Sequence, residues 1–207
     1  MASDLPWQGR VRIKLDPRKK NNFRIRLRIP GWAFNQAVPG DLYSFADELK
    51  SEKPRITVNG ASADYRIDRG YAVIERSWNP GDVVEMEIPL MPRKVQARAE
   101  VAENRDRLAL QYGPLVYCFE GVDNGDKVFN LLMDGKTLFS PAPQTILNEP
   151  VLGLRGFLPV FSIAPDGQSL LKERREATAI PYYAWCNRGA GEMQVWLPVK
   201  IKDIFLH

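Results

Sequence analysis

Cys118 and Glu120 stand two residues apart in Leu115-Val116-Tyr117-Cys118-Phe119-Glu120. On a strand, positions i and i+2 face the same side, so a thiol and a carboxyl are presented together, as a nucleophile and an acid would be. A reactive cysteine needs a histidine, a cation or a metal to lower its pKa, and Val116 on the same face marks a dry surrounding. Cys118 is therefore read as a packing residue. Glu85 and Glu87 form a second same-face pair, the kind of paired carboxylates that could act as acid and base. A solvated or arginine-paired face accounts for them better. Asp123, Asn124 and Asp126 offer oxygen ligands of the sort calcium takes, but the longer EF-hand pattern is missing and Gly125 among them favours a turn. Cys118, Cys186 and the single histidine, His207, are too few for a cysteine–zinc site or a disulfide framework, so two buried free thiols and no metal are expected.

Aromatic residues offer binding instead of catalysis. Among five Trp and seven Tyr, Trp32, Trp185 and Trp196 sit near turns or on the minority face of a strand, where a ring could stack on a sugar. The competing reading is that these rings seal a sandwich or cover a seam with a neighbouring domain. Arg12, Lys14, Arg24, Arg26 and Arg28 make a basic face without interleaved aromatics, so it lacks the stacking platform that single-stranded nucleic acid needs. No glycine-rich phosphate loop or hydrolase nucleophile elbow occurs.

The elements that must position these residues are strands. With 44% hydrophobic and 26% charged residues, the 207-residue chain reads as soluble and globular, and its 16 prolines and 15 glycines are scattered between short apolar runs. A net charge of +4 permits an acidic partner without requiring one. Met1-Ala2-Ser3 leads into no apolar segment, and no run is long enough to span a membrane. The opening immediately before a strand suggests a piece of a larger protein, whose compartment the piece does not reveal.

Val11, Ile13 and Leu15 alternate with cations, as do Phe23, Ile25, Leu27 and Ile29, which predicts a hairpin of two one-sided strands. Five cations on one face would repel each other, so the strand of Glu85 and Glu87 is expected beside the arginine strand in the same sheet. Leu42–Leu49 could make one or two helical turns. Asn59-Gly60 is a hairpin turn, and Asn79-Pro80-Gly81-Asp82 is a second turn. Val95–Val101, Leu108–Gln111, Leu115–Phe119, Val128–Met133, Thr145–Leu152, Pro159–Ala164, Thr178–Trp185 and Met193–Leu197 are further strand candidates. Ser140–Pro143 reads as a proline-rich connection and Lys172–Glu176 as a solvated loop. The expected fold is all-β, with two antiparallel beta-sandwiches in series.

Several segments also carry a resemblance. They are Leu5-Pro6-Trp7, Leu27-Arg28-Ile29-Pro30-Gly31-Trp32-Ala33, Val38-Pro39-Gly40-Asp41-Leu42-Tyr43 and Val58-Asn59-Gly60. The order GYxxIxRxWxxGDxVxxxxPLxxR from Gly70 to Arg93 follows, then Gly113-Pro114-Leu115-Val116-Tyr117-Cys118 with Glu120. Near the end stand Pro181-Tyr182-Tyr183-Ala184-Trp185, Asn187-Arg188-Gly189 and Val195-Trp196-Leu197-Pro198. In this order, over almost the whole chain, they resemble the carboxy-terminal part of glycoside hydrolase family 127, the beta-L-arabinofuranosidases. The resemblance implies a final strand that returns to the first sandwich: residues 4–94 plus 185–199, then 95–184, and a tail at 200–207. It also implies an enzyme whose zinc-bound cysteine and acid/base glutamate lie in a preceding alpha/alpha barrel, so that this part carries no catalytic residue, cofactor or metal. The implied partners are the barrel of the same parent chain, a homo-oligomer and a plant-type polysaccharide or oligosaccharide; neither nucleic acid nor a membrane is expected.

Overall fold

The computed structural model describes residues 1–47 and 52–206. Every extended element in it is antiparallel, and its helical segments are short 3-10 turns. The chain divides into two compact units, Met1–Pro39 with Leu49–Leu90 and Gly40–Glu48 with Met91–His207.

The first unit is a sandwich of two sheets. One sheet contains β1 (Ala2–Ser3), β2 (Arg10–Lys14), β5 (Arg55–Val58), β6 (Ala61–Ser62) and β9 (Val83–Glu87), in the order β1-β2-β9-β5-β6. The other contains β3 (Asn21–Arg28), β7 (Arg66–Asp68) and β8 (Tyr71–Trp78), in the order β3-β8-β7. Alternation does the sorting: Val11, Ile56, Val58, Val84 and Met86 of the first sheet meet Leu27, Ala72, Ile74 and Trp78 of the second in one core, while the intervening charges face outward. Asn59 and Gly60 both take positive φ, 51° and 80°, and so close the tight hairpin from β5 to β6.

The expected β2–β3 hairpin is not formed, and the acidic strand is not beside the arginine strand. β2 and β3 lie in different sheets, and β9 pairs with β2, opposing Arg12 with Glu85 and Arg10 with Glu87. Separation removes the like-charge ladder, and each cationic strand gains its own acidic neighbour. β3 is served by β8 and β7: Arg24 Nε lies 2.8 Å from Glu75, and Arg26 lies 2.9 Å from Asp68. Tyr71 turns outward beneath Arg26 and Arg28, whose guanidinium carbons stand 5.3 and 5.4 Å from its ring centre.

The second unit is built on one continuous nine-stranded sheet. Its path is β13 (Ser140–Ile146), β14 (Glu149–Ile163), β15 (Leu170–Pro181), β12 (Leu115–Glu120), β11 (Arg107–Tyr112), β10 (Pro92–Ala97) and β4 (Tyr43–Phe45). The short β16 (Met193–Gln194) and β17 (Leu197–Pro198) complete it. Residues 185–199, expected in the first sandwich, belong here, because β16 pairs with β12 and β17 with β11. β11 and β12 pair with each other only through Leu110–Tyr112 and Leu115–Tyr117, which leaves Arg107-Leu108 and Phe119-Glu120 free to receive those two strands. The tail is tied to the same unit by the Phe205 N–H, which donates to the Phe129 carbonyl at 3.0 Å.

Other local expectations also change: Val128–Met133 forms no strand, only an isolated bridge from Leu131 to Val160. Tyr43–Phe45 is a strand paired with β10, and the rest of the helical turns foreseen up to Leu49 falls largely outside the described residues. Thr145–Leu152 is interrupted by a turn at Leu147 and Asn148, both at positive φ. Ser140–Pro143 is part of β13, which ends the sheet and so tolerates Pro141 and Pro143 where a central strand would not. Lys172–Glu176 is part of β15.

Candidate functional site

The chemistry-bearing side chains that the fold does gather lie in the second unit, where β12 ends. Glu120 is the last residue of β12, and the turn Gly121–Asp123 follows at once. Gly121 is required there, since a Cβ would stand 2.8 Å from the Asp126 carbonyl oxygen. β15 ends beside β12, with Tyr117 opposite Pro181, and hands the chain to a second short turn, Tyr182–Ala184. Cys186, at positive φ, then redirects it so that Arg188 reaches back over the end of β12.

Arg188 is gripped by two acids. Its Nη1 and Nη2 donate to the two oxygens of Asp123 at 2.8 and 2.5 Å, and Nη2 also donates to Glu120 Oε2. The remaining Glu120 oxygen, Oε1, accepts the Cys186 backbone N–H at 3.1 Å. Hydrogen bonds to Asp123 first, and then to Glu120, raise the Arg188 pKa above its already high ordinary value, against the opposing effect of burial. Its Nε is buried and meets no acceptor among the described residues. Asn124 braces the turn from the other side: Nδ2 donates to the Glu120 and Thr178 carbonyls at 2.7 and 3.0 Å, and Oδ1 accepts the Thr178 N–H at 2.9 Å.

Above this clamp opens a cleft of ≈ 640 Å³ whose wall includes Val122, Trp185, Arg188 and Glu192. Trp185, on its wall, belongs to an exposed aromatic group. Tyr182 and Trp185 stack with ring centres 5.8 Å apart and planes 11° from parallel, and they stand 45% and 37% exposed beside Tyr183 at 59%. An exposed aromatic strip of this kind suits a flat apolar partner, a sugar face or another protein surface.

Chemistry at the clamp is limited by what its oxygens already hold. Both Glu120 oxygens and both Asp123 oxygens accept hydrogen bonds, so neither carboxyl is placed to donate a proton to a substrate. Cys118 is wholly buried, and that burial pushes its pKa up to about 12, with the charge of Glu120 adding to the effect. The thiol stays protonated and inert at neutral pH. Val116, taken as a sign of a dry face, is itself 42% exposed. Cys186 is exposed, whereas two buried thiols were expected. An aromatic disulfide reagent at pH 8 should therefore titrate one thiol quickly and the second only after denaturation; rapid reaction of both would contradict the burial of Cys118. The stability from the buried thiol is full below the unfolded thiol's pKa, about 8.5. It is lost as pH rises from there towards about 12.

The other candidates are dispersed. Glu85 and Glu87 lie in the first unit and are held by arginines, Glu87 2.5 Å from Arg55 and Glu85 3.8 Å from Arg12. The Arg55 hydrogen bond lowers the Glu87 pKa, as suits an ion pair and not an acid catalyst. Asp123 and Asn124 are used by the clamp, not directed toward a shared cation. Among the described residues no group of three or more His, Cys, Asp or Glu side chains could hold a metal ion, and His207 lies outside them. The described residues therefore offer no ligand set that fits cysteine–zinc chemistry. Trp32 lies in a short turn of the first unit, partly buried against its core. Trp196, in the second unit, is half-buried with its ring 5.6 Å from that of Tyr43. Only Trp185 is exposed. Sequence reasoning quoted Tyr182, Tyr183 and Arg188 without assigning them a site, because the acids that fix Arg188 lie 65 and 68 residues earlier.

Comparisons with known proteins divide the chain at the same boundary, beside Leu90, although the first match runs through Gly40–Glu48, which packs with the second unit. Residues 1–90 match the beta-L-arabinofuranosidase GH127 middle domain, and residues 92–198 match the glycoside hydrolase family 127 C-terminal domain. The chain belongs to glycoside hydrolase family 127. A non-reducing end beta-L-arabinofuranosidase of Bifidobacterium longum is 28% identical over 94% of this chain and 29% of its own length. Among solved structures, a GH127 beta-arabinofuranosidase superposes with a TM-score of 0.92 at 35% identity, covering 99% of this chain and 32% of that one. A GH127 beta-L-arabinofuranosidase from Geobacillus stearothermophilus T6 gives 0.80 at 32% identity, covering 95% and 29%. The chain therefore spans about a third of the length of these relatives. No helix among the described residues is long and apolar enough to cross a membrane.

Proposed function

We propose that this chain is the non-catalytic, accessory β-region of a family 127 glycoside hydrolase whose complete polypeptide acts on beta-L-arabinofuranosides, and that it braces the catalytic barrel and contributes to oligomer contacts. The observation that carries this reading is the joint match of both units to the middle and C-terminal domains of enzymes about three times as long. The engagement of Glu120, Asp123 and Cys118 in clamp and core supports it. The exposed strip of Tyr182, Tyr183 and Trp185 is the surface best suited to face a barrel. Zinc, on this reading, belongs to the barrel.

The 207-residue chain, assayed with an aryl beta-L-arabinofuranoside, is expected to give no turnover above the uncatalysed rate; turnover by pure protein overturns the reading. Oxidative footprinting should label Tyr182, Tyr183 and Trp185 in the isolated chain and spare them in a polypeptide that includes the barrel. Equal labelling in both would remove the bracing role. A second reading, an independent carbohydrate-binding module, is favoured by the Tyr182–Trp185 stack. Saturable binding of an arabinose-containing polysaccharide, lost in Trp185→Ala and kept in Trp32→Ala and Trp196→Ala, would establish it in place of the first.

A further inference from the structure

The chain's positive charge is gathered in its first unit. Residues 1–39 and 49–90 hold 15 Lys and Arg against 9 Asp and Glu, whereas residues 40–48 and 91–207 hold 14 against 16. On the outer face of the sheet β3-β8-β7, strand pairing sets this charge in rows. Arg28 stands beside Tyr71 and then Asp68, Arg26 beside Val73 and then Arg66, and Arg24 beside Glu75. Four cations thus share two acids. Arg24 has Glu75 at 2.8 Å, but Arg26 and Arg66 divide one oxygen of Asp68, at 2.9 and 3.7 Å. Arg28 donates to the Gly70 carbonyl at 2.8 Å and meets no carboxylate among the described residues.

The acids stand at two corners of this face and leave its middle row without one. Val73, the centre of that row, lies outside the sandwich core yet is only 4% exposed, because the arginine stems on either side flank it. A carboxylate seated over Val73 would complete the neutralisation of Arg66, and guanidinium forks suit carboxylates in a two-pronged grip. The unit's other sheet is built differently. There β9 runs between β2 and β5, so an incoming anion would meet Glu85 and Glu87 among the cations.

The face also selects among polyanions. Single-stranded nucleic acid needs open aromatic rings on which its bases stack. Tyr71 is the aromatic residue of these rows, and Arg26 and Arg28 already lie against its ring. A membrane surface takes apolar groups that insert, and Val73 is covered. A polymer that carries its carboxylates on hydroxylated rings needs neither. We propose that the outer face of β3-β8-β7 holds an acidic polysaccharide by its carboxylates, seated among Arg26, Arg28 and Arg66. The partner's negative charge follows from the face itself; that it is a saccharide rests on the preceding reading of the parent as a glycoside hydrolase. Binding is measured without turnover, so either can fail without the other.

Isothermal titration of the 207-residue chain with polygalacturonate over a salt series should show saturable binding that weakens as salt rises, and none with a neutral arabinan. Arg26→Glu and Arg28→Glu should each weaken binding about fivefold or more, with the melting temperature recorded alongside. Arg28→Gln keeps a donor for the Gly70 carbonyl and so guards against a folding defect; it should weaken binding about threefold. Lys202→Glu makes the same change in net charge within the second unit and should stay within about twofold of the starting affinity. No saturable binding of polygalacturonate at low salt, binding indifferent to salt, or an equal loss in Lys202→Glu would each overturn the proposal. Tighter binding of single-stranded DNA or of phosphatidylserine vesicles than of polygalacturonate would overturn it too.

Discussion

Arg188→Met is expected to lower the unfolding free energy by about 3–5 kcal/mol, the range seen when one partner of a buried ion pair is removed and the other is left behind. Here two partners are left behind. The Glu120 side chain is 7% exposed and that of Asp123 is 16% exposed, and Arg188 is the cation that contacts both. Methionine fills much of the arginine stem's volume, so the loss reports the stranded carboxylates more than a cavity. Arg188→Lys keeps the charge but gives up the two-pronged grip on Asp123, and should fall between Met and wild type. Urea unfolding of the three proteins, followed by circular dichroism, checks this. A loss below about 1 kcal/mol for the methionine variant would mean that water already shares these charges.

The second large effect belongs to the first unit. Trp78→Ala should cost about 3–5 kcal/mol through the cavity left by a fully buried indole, a large share of the roughly 5–15 kcal/mol that usually holds a domain. Trp78 has no exposed surface, packs with its ring centre 6.0 Å from that of Phe23, and donates its Nε1–H to the Phe23 carbonyl at 3.0 Å. Truncation therefore also leaves a carbonyl without its donor. Trp185→Ala, at an exposed ring, should cost under about 1 kcal/mol in the same unfolding experiment. Equal losses at the two positions would refute the assignment of Trp78 to the core and Trp185 to the surface.

Much of the first unit was legible because one-sided strands announce themselves. Val11 and Ile13 against Arg12, and Val84 and Met86 against Glu85, gave β2 and β9 directly, and Asn59-Gly60 gave its hairpin. What periodicity does not carry is which sheet a strand joins. The link from Lys14 to Asn21 could close a hairpin or cross between layers, and only the repulsion of the cations, once both layers exist, decides for crossing. Only the end of β15, from Thr178, reads as a strand, because Leu170–Glu176 lies exposed along a sheet edge and has no buried face to impose alternation. β13 was hidden by its prolines, which an edge position makes harmless. For the candidate site, the aromatic run was visible as letters, but the clamp beneath it depends on contacts between Glu120, Asp123 and Arg188 that no local window spans.

Asn124 is followed by Gly125, a dipeptide in which the glycine amide nitrogen can attack the preceding side-chain carbonyl and release ammonia through a succinimide ring. Here that carboxamide cannot swing into attack while its nitrogen serves the Glu120 and Thr178 carbonyls and its oxygen holds the Thr178 N–H. Hydrolysis to aspartate would set a carboxylate oxygen against the same two carbonyls. The contacts that brace the turn after β12 thereby also shield a labile amide from chemical ageing for as long as the chain stays folded.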